Sequence, residues 1–278
     1  MSAPRAIGVD CGGTKILAGV VGRDGTVHRR YTVPTPTSSE EDLLEALEGV
    51  VETLLGEDVA AIGMGVPSQI DQRTGRAVSS VHVPLRDVDL RGRMRERFGV
   101  PVGIDNDGNA AAIAEWKLGA GRGASNVVVL TLGTGIGGGL ILDGRPFRGS
   151  VGGGAELGHM VLDYGGPRCK GDCSGHGHFE AFAAGSAANA LARARFGEHA
   201  DARRLVDAAE GRDQGAISDL AELGHRLGAG IGSLVNIFNP ELVIIGGGFA
   251  DAGEFILRPA RETLAVEGLP LPREVVRI

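Results

Sequence analysis

Aromatic side chains are scarce in this sequence: one Trp, two Tyr and eight Phe among 278 residues. Proteins that hold single-stranded nucleic acid stack its bases on aromatic faces, and this chain has few to offer. Basic charge is in deficit as well. With 28 Lys and Arg against 35 Asp and Glu, the formal net charge is -7, which on average repels a phosphate backbone. Cysteine stops at three residues, too few for the disulfide framework of a small secreted domain. No apolar run approaches the roughly 18 residues of a membrane helix, and strand-like sequence begins too early after Met1 to leave room for a signal peptide. No G-x-x-x-x-G-K-[ST] segment occurs, which excludes a P-loop motif. These absences lead us to expect a cytoplasmic protein with neither a nucleic-acid nor a membrane partner.

What the sequence has in excess is glycine, 47 residues with no collagen-like period. Glycine used this way supplies turns and lets bare backbone approach a ligand. The apolar residues, 42% of the chain, fall into alternating strand and helix patterns. Ala6–Val9, Ile16–Gly22 and Thr26–Pro34 read as a meander with a turn at Arg23-Asp24-Gly25. Ser38 and Ser39 precede acidic residues and then Leu43, Leu44, Leu47, Val50, Val51, Leu54 and Leu55, a capped amphipathic helix. Ala60–Val66 and Val102–Ile104 read as strands, and Asp89–Phe98 and Asp107–Leu118 as helices. The small, polar run at 119–125 suggests a boundary, giving a smaller N-terminal α/β domain over 1–118 and a larger C-terminal one over 119–278. In the second, Val127–Leu132, Gly135–Leu142 and Leu242–Ile245 are strand candidates. Helical patterns cover 179–195, 201–209 and 214–236, another helix starts near Asp251, and Glu274–Ile278 reads as a closing strand. Residues 8–25 and 131–144 share one plan, strand, glycine turn with Thr, strand, so two such loops could face each other across a cleft.

Five groups of residues could carry chemistry. Asp10 ends an apolar strand just before Gly12, Gly13, Thr14 and Lys15. A carboxylate there suits magnesium, and the turn offers donors to phosphate oxygens; a turn-capping Asp is the plainer reading. Gly133-Thr134-Gly135-Ile136-Gly137-Gly138 formally matches G-x-G-x-x-G. A dinucleotide fold requires a helix next, whereas Gly139–Leu142 reads as a strand, so we reject that fold and keep a polyphosphate-binding turn. Gly246, Gly247 and Gly248, between a strand and a helix, would let an adenine or ribose lie against backbone. Asp105-Asn106-Asp107 opens a helix: one residue there can be a cap, and an ionised Asp can accept the proton of an attacking hydroxyl. We favour Asp107 as that base with Asn106 orienting the hydroxyl, and Asp105 stays open. Finally, Cys169, Cys173 and His178, with His159 upstream, have the ligand types of a closed tetrahedral zinc site. His176 could replace His178, and the two Cys could instead form a redox pair. Glu156, Glu180 and the free nitrogen of His159 would then contact sugar hydroxyls. His28, His82, His199 and His225 read as surface histidines, Cys11 as a buried small residue, and Arg86–Arg97 as a solvated helix face.

Taken in order, Asp10–Lys15, Gly65-Val66-Pro67, Asp105–Ala110, Leu132–Gly139, Glu156–His159, the Cys/His stretch and Ile245–Gly248 closely resemble the ROK family (repressors, open reading frames, kinases), and within it the bacterial glucokinases. The resemblance spans residues 8–248. It implies an actin-like (ribonuclease H-like) α/β fold of two domains, with ATP and sugar meeting in the interdomain cleft. It also implies magnesium-dependent transfer of the ATP γ-phosphoryl group to the 6-hydroxyl of a hexose, glucose in the first instance. By the same resemblance Asp107 is the base, Asp10 lies near metal and phosphates, and Gly133, Thr134 and Gly135 touch phosphates. Gly65, Asn106, Asp107, Glu156, His159 and Glu180 would surround the sugar. His159 would also belong to a structural zinc site, with His178 the better fourth ligand because Gly177 and Glu180 align with the family pattern. Alternative substrates are N-acetylmannosamine, N-acetylglucosamine, mannose or fructose, and inorganic polyphosphate is an alternative donor. A remoter alternative is a non-catalytic sugar-sensing regulator; repressors carry a DNA-binding module before this first motif, where only nine residues precede Asp10. A homodimer or larger homo-oligomer is expected. Three departures stand out. The family's C-x-C-G-x-x-G-C-x-E is stretched here between Cys169 and Cys173 and ends on His178. Ser68 replaces the Gly of G-x-P-G. Family members also usually continue with a Gly/Ala-rich helix beyond the last strand, whereas this sequence stops at Ile278.

Overall fold

The computed structural model describes residues 4–56, 58–80, 82–169 and 173–278. The chain divides into two compact units, Met1–Gly119 with Phe147–Ala155, and Ala120–Pro146 with Glu156–Ile278.

In the first unit a five-stranded sheet runs in the order β3-β2-β1-β4-β8, from β1 (Arg5–Cys11), β2 (Lys15–Val21), β3 (Val27–Pro34), β4 (Val59–Val66) and β8 (Val102–Asn106). β1–β3 form an antiparallel meander, and β4 and β8 add in parallel on the other side of β1. Alternation decides which faces are buried: Ile7, Val9 and Cys11 from β1 and Ile16, Ala18 and Val20 from β2 enter the core. Helix α1 (Glu40–Leu54) covers that face with Leu43, Leu44, Leu47, Val50, Val51 and Leu54. Its N-cap is Ser39, whose hydroxyl accepts from the Asp42 amide at 3.1 Å. Helix α2 (Leu90–Phe98) is capped by Asp89 and ends at Gly99, and α3 (Asp107–Leu118) follows β8 without a gap. A small antiparallel sheet, β5 (Gln69–Asp71), β6 (Arg76–Ser79) and β7 (Arg86–Val88), escaped the sequence reading because its strands are too short to show a period. The stretch 86–97 is not a freely solvated face. Arg93 pairs with Glu48 at 2.5 Å and Glu41 at 2.9 Å, and Arg97 with Glu52 at 3.3 Å, so it forms an ion-pair seam with α1.

The second unit repeats the plan. β9 (Val127–Leu132) pairs antiparallel with β10 (Ile136–Leu142) and parallel with β12 (Leu242–Gly246), in the order β11-β10-β9-β12, where β11 is Arg145–Phe147. The two echoed sequence segments therefore build the same hairpin, each flanked by a parallel strand on its first member. The helical pattern over 179–195 resolves into α4 (Phe179–Ala183) and α5 (Gly185–Phe196), followed by α6 (Ala202–Glu210) and the long α7 (Gln214–Phe238). Gly224 and Gly228 lie one turn apart on α7, where an added Cβ would run into the backbone of α8 (Glu254–Glu267). Two expectations are corrected here. The helix expected from Asp251 begins only at Glu254, after a 3-10 turn over Gly248–Ala252. The closing strand forms only in part: α9 (Pro270–Val275) takes its first two residues, while Arg277 bridges in parallel to Leu242, its carbonyl accepting from the Val243 amide at 2.8 Å and its amide donating to the Glu241 carbonyl at 3.2 Å. Among the described residues no helix is long and apolar enough to cross a membrane.

Candidate active site and metal centre

In the first unit the strand register lines up the chemistry. Asp10 pairs with Gly65 and Gly65 with Asp105, so three neighbouring parallel strands end on one row. Carboxyl ends of parallel strands are where such sheets bind ligands. Gly65 is buried, and a Cβ there would stand 3.1 Å from the Ala110 Cβ and 3.5 Å from the Asp107 Cα; its bare backbone lets the first turn of α3 settle against the row. The N-cap of α3 is Asn106, whose Oδ1 accepts from the amides of Gly108 at 2.9 Å and Asn109 at 3.3 Å. Asn106 thus supplies the cap of the helix through Oδ1, and its Nδ2 carries a second hydrogen besides the one given to the Ser68 carbonyl.

The two carboxylates are treated differently. Asp105 is buried, and its Oδ2 accepts from Arg148 Nε at 2.7 Å and Nη2 at 2.6 Å. Its Oδ1 accepts from Gln72 Nε2 at 3.1 Å and the Asn106 amide at 3.0 Å. Among the described residues, the Asp107 carboxylate accepts only from the Gly108 amide of its own turn, at 2.9 Å. Asp10 is exposed at its tip, yet its carboxyl is raised from the ordinary range, first by desolvation and then by the Asp107 charge, with Lys15 opposing. Two carboxylates repelling in this way are relieved by a cation. Next door Cys11 is fully buried and its thiol pushed up to about 12, first by burial, then by Asp10 and Asp107, so it is no nucleophile. The Asp10–Lys15 turn closes with the Gly12 amide donating to the Lys15 carbonyl at 3.0 Å, and Thr35 donates its hydroxyl to the Gly12 carbonyl at 2.6 Å. Ser68 needs no left-handed backbone. Its hydroxyl donates to the Ser79 carbonyl at 2.8 Å and its own carbonyl accepts from Asn106 Nδ2 at 3.5 Å, so the serine ties the loop to β6.

In the second unit Gly133-Thr134-Gly135 is the turn between β9 and β10, with a strand and not a helix after it. The Gly133 and Thr134 carbonyls accept from the Gly185 and Ser186 amides at 2.9 and 3.3 Å, which ties the turn to the start of α5. Beside it opens a cavity of about 570 Å³, lined by Gly133, Thr134, Gly185 and Gly248 and also by Asn189, Arg203, Asp207, Glu210, Phe249 and Asp251. That size holds a nucleotide-scale ligand. Of the triple glycine, Gly248 reaches the cavity. Gly247 is the one that must be glycine: its φ is +88°, and a Cβ would meet the Leu132 backbone oxygen at 2.5 Å. We expect Gly247→Ala to cost more than about 1–2 kcal/mol from the left-handed backbone alone, read as a lower midpoint in thermal unfolding, together with weaker ATP binding. The helix-borne lining residues of α5 and α6 went unnoticed in the sequence, because helical faces carry no motif.

The third group is a side-chain cluster in the same unit. A short ladder forms it: Cys169 donates its amide to Gly175 at 2.8 Å, Gly177 to Pro167 at 2.8 Å, and Phe179 to Met160 at 2.7 Å. This brings His159, Cys169, Cys173 and His178 together with all ligand atoms within 4.8 Å of one another. Lys170, Gly171 and Asp172 lie outside the described residues. The His159 and His178 Nδ1 atoms are 3.0 Å apart, Cys169 Sγ is 3.8 Å from the first and Cys173 Sγ 3.7 Å from the second. A tetrahedral zinc with its usual bond lengths asks for edges of roughly 3.3 Å between nitrogens and 3.6 Å between nitrogen and sulfur, so the donor set fits. His176 is exposed, bridged to Arg168 and outside the cluster. Glu180 joins the cluster to the phosphate-side turn: Cys169 Sγ lies 3.1 Å from its Oε1, and its Oε2 accepts from the Ile136 amide at 3.3 Å. Burial first, and Glu180 after it, push the Cys169 thiol up to about 12; a dication beside the sulfur opposes both. Glu156 is exposed and precedes the 3-10 turn Leu157–His159, whose Gly158 sits against the Ile136 backbone.

Known proteins resemble this chain over most of its length. The sequence profile of the ROK family matches residues 6–277. The glucokinase of Thermotoga maritima is 37% identical over 275 residues, spanning 93% of this chain and 86% of that protein. The crystal structure of a ROK family glucokinase from Streptomyces griseus in complex with glucose and AMPPNP aligns with a TM-score of 0.82 at 34% identity, covering 93% of this chain and 88% of that one. The xylose repressor of Bacillus spizizenii is 28% identical over 271 residues, 95% of this chain and 70% of that protein.

Proposed function

This chain belongs to the ROK family and has its actin-like α/β sugar-kinase fold, and from that premise we propose that it is a glucokinase, transferring the γ-phosphoryl group of ATP to the 6-hydroxyl of glucose. The observation that carries the mechanism is the unequal use of two carboxylates two residues apart. Asp105 has its oxygens filled by Arg148, Gln72 and a backbone amide, whereas Asp107 has one amide of its own turn. Asp107 is therefore the base that accepts the hydroxyl proton as the sugar oxygen attacks phosphorus. Asn106 Nδ2 gives one hydrogen to the Ser68 carbonyl and has a second that would donate to the sugar.

Asp10 would hold magnesium, directly or through water, and the bound ion would offset the negative charge of the phosphates. The turn glycines with Thr14 and Lys15, and Gly133 to Gly135, are assigned to the phosphates. Gly246, Gly247 and Gly248 are assigned to the nucleoside. Asp207, Glu210 and Asp251 outnumber Arg203 around the cavity. That balance suits ribose hydroxyls and disfavours a polyanionic chain, which supports ATP over inorganic polyphosphate. For the sugar we assign Gly65, Asn106, Asp107, Glu156, His159 and Glu180. Zinc bound by His159, Cys169, Cys173 and His178 would have four protein ligands and no open position, making it structural. It would fix the His159 ring through Nδ1 and leave Nε2 for a hydroxyl.

Side-by-side kinetics with glucose, mannose, fructose and the two N-acetylhexosamines, using ATP and polyphosphate in turn, test the reading. The expected result is the highest kcat/KM for glucose with ATP; ATP turnover indifferent to every sugar would refute a hexose kinase.

Asp10 permits a separate check with a defined sign. A carboxyl raised on folding contributes stability that is fully present below its unfolded value and lost as pH rises through its folded value. At neutral pH the ionised Asp10 thus opposes folding. Asp10→Asn is expected to keep or raise the thermal midpoint while kcat/KM falls on the order of tenfold to a hundredfold. A lower midpoint with full activity would contradict its role.

A further inference from the structure

Arg148 belongs to no motif, yet it makes the closest polar contacts to the carboxylate row. Its Nε and Nη2 lie 2.7 and 2.6 Å from Asp105 Oδ2, with side-chain exposures of 29% and 10% for the two partners. The segment that carries it, Phe147–Ala155, packs as part of the first unit although the sequence on both sides belongs to the second. That segment is a closed loop. The Gly154 amide donates to the Arg148 carbonyl at 2.9 Å, Gly149 has φ +70° and Gly152 φ +94°. Gly152 is seated so tightly on β5 that an added Cβ would collide with the Ile70 carbonyl. Arg148 is thus held by its backbone before its side chain is extended. The partner is braced from the other side by Gln72 Nε2, which donates to Asp105 Oδ1 at 3.1 Å and to the Ile104 carbonyl at 3.2 Å. Asp105 in turn fixes the Asn106 amide at 3.0 Å, and Asn106 is the cap on which α3 and Asp107 begin.

We propose that Arg148 is a positioning residue for the reaction: through Asp105 it locks the junction of β8 and α3, so that Asp107 alone faces the substrate as an available carboxylate. The inference rests on the reading of Asp107 as base. The chemistry of the pair is what makes the role specific. Asp105 without its cation is a buried carboxylate held by two neutral donors, and it recovers solvation only by moving the junction. A displacement on the scale of an ångström at a base costs catalysis out of proportion to binding.

The experiment uses the full-length enzyme and reads kcat, KM for glucose, KM for ATP and thermal midpoint. R148M is expected to lower kcat roughly 10- to 100-fold with each KM changed less than about threefold, as displacement of a catalytic group predicts. R148M/D105N, which buries no unpaired charge, is expected to regain at least about half of that loss on a logarithmic scale. R148K keeps the charge and loses the planar fork, so it should fall between wild type and R148M; it also carries the kcat-to-KM comparison if R148M does not fold. In R148M/D107N the loss from R148M should vanish, because the group it positions is gone. Equal kcat in R148M and wild type, a fall in midpoint alone, no recovery in R148M/D105N, or a full additive loss in R148M/D107N would each overturn the proposal. Failure of the base reading is told apart by D107N alone, which would then keep its kcat.

Discussion

Asp107→Asn is expected to lower kcat by at least about 10²-fold, the usual contribution of a positioned general base, while ATP still binds. The substitution preserves size and the ability to accept from the Gly108 amide, so the first turn of α3 keeps its geometry. What disappears is the capacity to take a proton as the hydroxyl attacks phosphorus. Asp107 is not among the residues proposed for the nucleotide, so binding of a non-hydrolysable ATP analogue should be untouched in calorimetry. Asp105→Asn is the informative companion. Asp105 spends its oxygens on Arg148, Gln72 and Asn106, so its loss should act on stability as well as on rate. Comparable turnover in Asp107→Asn and wild type would remove Asp107 from the role of base.

Removal of the proposed zinc should produce the second large effect, and on two observables together. A chelator, or Cys173→Ser, is expected to lower the thermal midpoint and to raise KM for glucose. Loss of even about 2–3 kcal/mol moves the midpoint by roughly 4–12 °C in a chain of this size, and structural zinc sites contribute folding energy directly. The expected coupling to sugar runs through His159 and Glu180, both proposed as sugar contacts. The first lends Nδ1 to the cluster, and the second lies 3.1 Å from Cys169 Sγ while bonding the Ile136 amide. Metal analysis of two further variants assigns the fourth ligand. His176→Ala should retain one zinc per chain and His178→Ala should lose it. A metal-free preparation with full stability and activity would defeat the zinc assignment.

Much of this site could be read before folding because it is local. The Asp10–Lys15 turn, the Gly133–Gly135 turn and the start of α3 are each a strand end followed by a change of direction, and short segments reveal such changes through glycine and capping residues. The same locality explains the misses. β5, β6 and β7 have three or four residues each, too few for alternation to register. Glu274–Ile278 reads as a strand, yet the helix that Pro270 and Pro272 start runs on through Val275 and leaves only Arg277 to bridge to Leu242. Asn189, Arg203 and Asp207 line the cavity from helix faces that carry no recognisable spacing.

By itself the sequence determined the alternation of strands and helices, the paired glycine hairpins, and the stock of carboxylates and zinc-type donors, since each depends on neighbours within a few positions. Only the tertiary structure decided which donors share a centre and which carboxylate is left uncommitted. Asp105 is silenced by an arginine 43 positions away, and His178 rather than His176 enters the cluster because a short ladder turns one ring inward and the other out. Partnership at that separation is set by packing and chain closure, and no local pattern of residue types encodes it.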